Sequence, residues 1–189
     1  MTTIIGLSGS LRKGSYNTAL LVAAKAVAPA GVTLDVRTLR GIPLYDGDVE
    51  ASEGIPDAVA ALKDAIANAD GLLLATPEYN NGMPGVFKNA LDWLSRPPAD
   101  SARVFQNKPV AIMGASPGGF GTILSQNAWL PVLRTLQTTP WWQGRLMVSH
   151  ANKAIDTDGN LQDDAVRQQL AAFVAGFVTF LNERKSDVK

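Results

Sequence analysis

The sequence contains no cysteine. That excludes disulfides, thiolate nucleophiles, cysteine-ligated zinc and iron–sulfur clusters. Its single histidine, His150, excludes a multi-histidine metal site as well, and no metal is expected. Charge of one sign is also missing, because 17 Lys+Arg balance 17 Asp+Glu with no basic or acidic half. Broad electrostatic attraction to nucleic acid or to an anionic membrane is therefore not anticipated. No apolar run reaches the ~18 residues needed to cross a bilayer. An apolar strand begins almost at once, with no charged leader region or small-residue cleavage site before it, and the chain reads as cytoplasmic. What is present is an ordinary globular balance over 189 residues, 46% apolar and 18% charged. That suits one domain, 1–189, with a core of its own.

Thr3–Leu7 is a short β-branched run that reads as a buried strand. After a polar loop, Thr18–Val27 reads as a helix, and Thr33–Leu39 alternates like a strand. Ile42–Pro56 reads as a turn-rich connection. Pro56–Ala69 follows as a helix with Val59, Leu62 and Ile66 on one face. Gly71–Thr76 and Pro109–Ala115 are continuous apolar runs, the pattern of strands covered on both faces. Helices are predicted over Pro84–Ser95, about Thr122–Gln137 and Leu161–Glu183, with a last strand over Trp142–Ser149. Strands and helices alternate throughout, which argues for a parallel sheet with helices on both faces.

In such a sheet ligands bind at the carboxyl ends of the strands, near the point where strand order reverses. Three strands end there in unusual loops: Ser8–Asn17 (SGSLRKGSYN), Thr76–Gly85 (TPEYNNGMPG) and Ala115–Thr122 (ASPGGFGT). The first offers hydroxyls from Ser8, Ser10 and Ser15, charge from Arg12 and Lys13, and the start of a helix. Those are the parts of a phosphate site, although a solvated turn capped by serine has the same residues. In the second, Pro77 and Pro84 stiffen a backbone that would suit a flat ring with polar edges, with Tyr79 at its rim. A simple helix entry fits it equally. The third, Ser116-Pro117-Gly118-Gly119-Phe120-Gly121, is either backbone lying against a ligand or a flexible connection.

Several better-known sites fail. The P-loop requires Lys directly after its second glycine, but Ser15 follows Gly14. Gly6, Gly9 and Gly14 lack the dinucleotide spacing, and neither Gly6-Leu7-Ser8-Gly9 nor Gly114-Ala115-Ser116-Pro117 makes a hydrolase elbow. Asp156-Thr157-Asp158-Gly159-Asn160 lacks the sixth-position glycine and closing glutamate of a calcium loop, and reads as a solvated turn.

Three segments, LSGSLRKGSYN (Leu7–Asn17), TPEYNNGMPGVFKNALDWLSRP (Thr76–Pro97) and GASPGGFGT (Gly114–Thr122), resemble the NADPH-dependent FMN reductase family. They are most similar to its bacterial quinone, chromate and azo-dye reductases. The resemblance implies a flavodoxin-like three-layer sandwich with a five-stranded parallel sheet in the order 2-1-3-4-5. By position, Ser10, Arg12, Ser15, Tyr16 and Asn17 match the part that holds the FMN phosphate. Pro77, Glu78, Tyr79 and Asn80 match the part that lines the isoalloxazine, and Ser116, Gly118 and Gly119 the loop closing its other edge.

The implied activity is ping-pong transfer of electrons from NADPH or NADH, through FMN, to a small acceptor. Quinone, azo dye, nitroaromatic, chromate and flavin are all implied acceptors. No side chain is required as acid or base. The resemblance also implies a homodimer or homotetramer in which the helices at 84–95 and 122–137 meet a neighbour. The alternative is an electron carrier of flavodoxin type or a flavin-binding protein without its own NADPH turnover, but such carriers are normally acidic, and this chain is not.

Overall fold

The computed structural model describes residues 1–187. Its elements in chain order are β1 (Thr2–Ser8), α1 (Tyr16–Ala26), β2 (Val32–Thr38), α2 (Gly47–Glu53), α3 (Asp57–Ala67), β3 (Gly71–Ala75) and α4 (Gly85–Leu94). They continue as α5 (Pro98–Phe105), β4 (Pro109–Ala115), α6 (Ile123–Thr135), β5 (Thr139–Pro140), β6 (Leu146–Val148), α7 (Ala151–Ala154) and α8 (Asp164–Asp187). The strands form one parallel sheet in the order β2-β1-β3-β4-β5, and β6 also pairs with β4.

Period-two alternation divides the strand side chains between two cores. Ile4, Leu73 and Met113 point to the side closed by α1 and α8. Ile5, Leu7, Leu72 and Leu74 point to the other, where Phe87, Trp93 and Trp129 fill the space. All five residues of β3 are buried, as expected of a central strand with helices on both faces. The strand order and the two helical layers are those anticipated from the sequence.

The last strand differs. Only Leu146–Val148 of the predicted Trp142–Ser149 is strand, and Thr139–Pro140 pairs separately with the start of β4. Trp141 is the reason: it turns out of the sheet edge onto α8, with ring centroids 5.3 Å from Phe173 and 5.8 Å from Phe177. A Cβ on Gly144 would lie 2.0 Å from that indole, so only glycine lets the chain pass. Trp142 is left in the loop with 62% of its surface exposed.

Two helices inside predicted connections, α2 and α5, carry little apolar signal. No residue of α2 is buried. It is held by the Asp46 cap and by Glu50, which pairs with Arg96 at 2.8 Å. α5 packs on α3 through Val104 and Phe105, and buried Lys63 is paired with Asp100 at 2.6 Å. Arg103 and Lys63 hold the Asp100 carboxyl well below the usual carboxylate range. The final helix starts at Asp164 rather than Leu161. Asp163 caps it by accepting from the N–H groups of Ala165 (2.9 Å) and Val166 (3.1 Å), while Leu161 bridges back to Ile155.

Among the described residues no helix is long and apolar enough to cross a membrane.

Candidate functional site

The three loops emerge side by side. Ser8 and Ala75, the last residues of β1 and β3, are register partners. Gly9 N–H donates to Ala75 C=O (2.9 Å), Thr76 N–H to Met113 C=O (2.9 Å) and Ser116 N–H to Val148 C=O (3.0 Å). Parallel pairing thus continues one residue beyond each strand and delivers all three loops to one edge, between β1, β3 and β4.

The first loop ends in the cap of α1. Ser15 is extended (φ −76°, ψ 123°), and its hydroxyl accepts from Thr18 N–H at 3.2 Å. Ser10 is 6% exposed, and its hydroxyl accepts from Arg12 N–H at 3.3 Å. Among the described residues the N–H groups of Ser10, Ser15, Tyr16 and Asn17 have no protein acceptor. They add unpaired donors to the positive end of an 11-residue helix. Arg12 is exposed, donates to Gly14 C=O and lies 5.1 Å from the centroid of the Tyr16 ring. A phosphate fits this donor set, whose charge is supplied by Arg12 and Lys13.

Asn17 plays a different part through its side chain. Its buried amide donates to Ala115 C=O and accepts from Ala115 N–H, both at 2.9 Å. It bolts α1 to the end of β4, which leaves only its backbone N–H for a ligand.

The second loop is a tight hairpin. Tyr79 and Gly82 exchange N–H···O=C bonds of 3.1 Å around Asn80 (φ 50°) and Asn81 (φ 62°). Positive φ at both central residues is the pattern of a type I′ turn, which Asn tolerates better than most residues. Tyr79 stands 51% exposed at the rim. Its N–H is spent in the hairpin, whereas those of Glu78 and Asn80 have no protein acceptor among the described residues. The Glu78 carboxylate turns away from the edge and caps α6, accepting from Leu124 N–H (2.8 Å) and Ser125 N–H (3.0 Å). A negative charge at that helix start ties the second loop to the element after the third.

In the third loop the Ser116 hydroxyl donates to Gly121 C=O, and His150 N–H and Ala151 N–H donate back to Gly118 and Ser116 (3.1 and 3.0 Å). Gly121 has φ 62°, and a Cβ there would lie 2.9 Å from Met147. The loop is therefore fixed at both ends while its tip, Phe120, is 84% exposed.

Beneath the edge is a layer that the motifs do not reveal. Trp129, fully buried, donates from its indole N–H to the Thr76 hydroxyl (3.1 Å), which also pairs with the Ser125 hydroxyl (2.8 Å). Phe87 packs edge-on against Trp129 at 4.9 Å and closes over Gly9, where a Cβ would meet the ring at 2.2 Å. A Cβ on Gly114 would lie 2.3 Å from Thr76 C=O and 2.0 Å from the Thr122 hydroxyl. Thr76 and Trp129 are 53 residues apart, so no local pattern predicts the contact.

Hollows border the first loop and α6. An apolar cleft of about 480 Å³ beside α6 follows from the split of β5 from β6, with Ile112 at its base and Trp142 at its mouth. A groove of about 460 Å³ runs from Lys13–Tyr16 to the turn at Asp156–Asn160. The Asp156 carboxylate in that turn is taken up by Asp158 N–H, the Asn160 backbone and amide, and the Gln162 amide, at 2.7–3.3 Å. Those bonds, led by the Asn160 backbone, hold its acid strength above normal. The turn satisfies its own polar groups. Among the described residues no group of three or more His, Cys, Asp or Glu could hold a metal.

A 2-1-3-4-5 parallel sheet with helices on both faces, whose β1 and β3 loops meet at the switch point, defines a flavodoxin-like protein. Residues 2–153 match the model of the NADPH-dependent FMN reductase family, and the chain belongs to that family. It is 46% identical over 165 residues, 87% of each chain, to the NAD(P)H-dependent FMN reductase PA1204 of Pseudomonas aeruginosa. It is 38% identical over 177 residues, 94% of each, to the 2-hydroxy-1,4-benzoquinone reductase of a Burkholderia species. Among solved structures, FerB of Paracoccus denitrificans, a flavoenzyme NAD(P)H:(acceptor) oxidoreductase, superposes with a TM-score of 0.85 at 31% identity, covering 97% of this chain and 98% of FerB. The protein is an oxidoreductase that uses FMN with NAD(P)H as donor.

Proposed function

We propose that the chain is a single-domain NAD(P)H:quinone reductase whose FMN lies across the three loops. The observation that carries the site is the convergence at one sheet edge of donors unpaired among the described residues: Ser10, Ser15, Tyr16 and Asn17 N–H on one side and Glu78 and Asn80 N–H on the other. In this reading Arg12 and the hydroxyls of Ser10 and Ser15 join the first set in holding the phosphate. Glu78 and Asn80 N–H serve the acceptor atoms of the ring edge. Pro77 and Tyr79 border the ring, and Ser116, Gly118 and Gly119 lie along its other edge. When bound, FMN supplies the hydride chemistry between donor and acceptor. The protein needs to supply no acid or base; its part is to hold donors toward the side of the ring that becomes electron-rich.

The quinone as acceptor is supported by the relatives, among them the quinone reductase of Escherichia coli K12, 35% identical over 187 residues. A homodimer or homotetramer is supported on the α6 side by exposed apolar side chains, Ile123 (39%) and Leu124 (44%) on α6 and Trp142 (62%) in the loop before β6. A pyridine-nucleotide donor supports a cytoplasmic location.

The test is a visible spectrum of the purified protein titrated anaerobically with FMN, then NADPH, then 1,4-benzoquinone. Bands that shift on binding, bleach with NADPH and return with quinone are the expected result. Bands that bind but do not bleach would make the protein an electron carrier fed by another enzyme. Absence of FMN binding would overturn the reading.

A further inference from the structure

His150 lies outside the motifs and outside the roles assigned above. It follows β6 with φ 48° and ψ 41°, a left-handed conformation that is uncommon without glycine. Three backbone hydrogen bonds in succession lace this corner to the third loop. Ser116 N–H donates to Val148 C=O, Ala151 N–H to Ser116 C=O and His150 N–H to Gly118 C=O, at 3.0, 3.0 and 3.1 Å. The last is the one that reaches the glycine pair. His150 C=O in turn accepts from Lys153 N–H at 2.8 Å, which fixes the corner to the start of α7. The ring lies over the loop: its Cε1 and Nε2 are 3.8 and 3.9 Å from where a Cβ on Gly119 would stand.

Gly118 and Gly119 have no side chains with which to hold their own conformation, and glycine has the greatest backbone freedom of any residue. Contacts from outside the pair help to choose one conformation, and among the described residues the His150 N–H reaches Gly118 C=O from across the corner. That bond exists because the left-handed turn aims the His150 N–H back at the loop. A residue that resists this turn would swing the N–H away and release Gly118. Strained conformations of this kind persist where the surroundings over-determine them, and they cluster at ligand clamps.

We propose that His150 is a positioning residue, whose left-handed backbone braces the Gly118–Gly119 turn in the shape that receives FMN. The proposal rests on the reading of the third loop as part of the flavin site. It sets a rule for the position: residues tolerant of the left-handed region serve, and β-branched residues do not.

The experiment compares His150→Asn, His150→Ala and His150→Val in the full chain. FMN dissociation constants are taken from flavin fluorescence titration, and the visible circular dichroism of bound FMN reports its seating. Hydrogen exchange of 116–121 in the apoprotein reads the brace without any ligand. The expected order is Asn within about threefold of wild type, Ala weakened several-fold and Val weakened tenfold or more. The visible dichroism should change, and exchange of the loop rise, in the same order. Thermal midpoints of the apoproteins separate this from general unfolding, because Ala remains folded and should already show the partial effect. Equal FMN affinity and equal exchange in all three would overturn the proposal. So would Asn failing as badly as Val, since that would assign the effect to the imidazole. If the wild type takes up no FMN, the reading of the site falls, and the exchange order alone then decides whether the brace exists.

Discussion

Replacing Gly114 by alanine is the most direct test of the layer beneath the site. The new Cβ would stand 2.0 Å from the Thr122 hydroxyl oxygen, 2.3 Å from Thr76 C=O and 2.9 Å from Thr122 Cβ. The hydroxyl could rotate, but the carbonyl belongs to backbone at the exit of β3, where Thr76 N–H is bonded to Met113. Bringing that contact out to 3.0 Å needs a backbone shift of about 0.7 Å. Overpacking of this kind costs ~1–3 kcal/mol, and the upper end applies because neither Thr76 nor Thr122 has any exposed surface to relax into. In a domain of this size ~3 kcal/mol lowers the melting temperature by roughly 6–12 °C. Because Thr76 begins the second loop, FMN affinity should fall by about tenfold, ~1.4 kcal/mol. Thermal denaturation of the apoprotein by circular dichroism and an FMN fluorescence titration measure the two effects. Gly85→Ala is the control: nothing lies within 4 Å of its Cβ position, and it opens α4. A Gly114→Ala melting point within 2 °C of the control would refute the reasoning that this glycine is required by close backbone approach.

Arg12→Ala should weaken FMN binding by ~10–100-fold, the range of a charge-assisted hydrogen bond, with little change in melting temperature; unchanged affinity removes Arg12 from the phosphate site. Glu78→Ala removes the carboxylate that accepts from Leu124 and Ser125 and should cost ~1–2 kcal/mol in urea denaturation, with Glu78→Gln restoring part of it. Asn17→Ala strands the N–H and C=O of Ala115 and should cost ~2–4 kcal/mol, more than Asn17 would if it served the ligand alone. Asp100 is held below the usual carboxylate range by Arg103 and Lys63, so its contribution is complete above the unfolded carboxylate value of ~4 and is lost as pH falls below it. Asp100→Asn should therefore cost ~2 kcal/mol in urea midpoints at pH 7, and that gap should narrow steadily between pH 4 and pH 2; a gap independent of pH would refute the ion-pair account.

Much of the architecture was legible in the chain because it depends on local pattern. Gly71–Thr76 and Pro109–Ala115 are nearly continuous apolar runs because both faces of a central parallel strand are covered, and they are too short for a buried helix. The helices with apolar stripes, α1, α3, α4, α6 and α8, were predicted to within three or four residues at their ends. The helices that went unread, α2 and α5, are held by side-chain pairs from distant segments, Glu50 with Arg96 and Lys63 with Asp100, and such pairs leave no periodic trace. Likewise, nothing in Trp142–Ser149 tells which of its residues pair as strand, because the decision lies with Trp141, which finds Phe173 and Phe177 on α8.

The site divides in the same way. The sequence by itself determined which loops carry glycine, hydroxyl and positive charge, and that each follows a buried strand; these are properties of neighbours along the chain. Only the tertiary structure decided what each polar group does once the strands are paired. It turned the Asn17 amide to Ala115 and the Glu78 carboxylate to the start of α6, spent the Tyr79 N–H in a hairpin, and among the described residues left without a protein acceptor the N–H groups of Ser10, Ser15, Tyr16, Asn17, Glu78 and Asn80. The physical reason is that a hydrogen-bonding group takes the nearest partner in space, and that partner lies 46 residues away for Glu78 and 98 for Asn17.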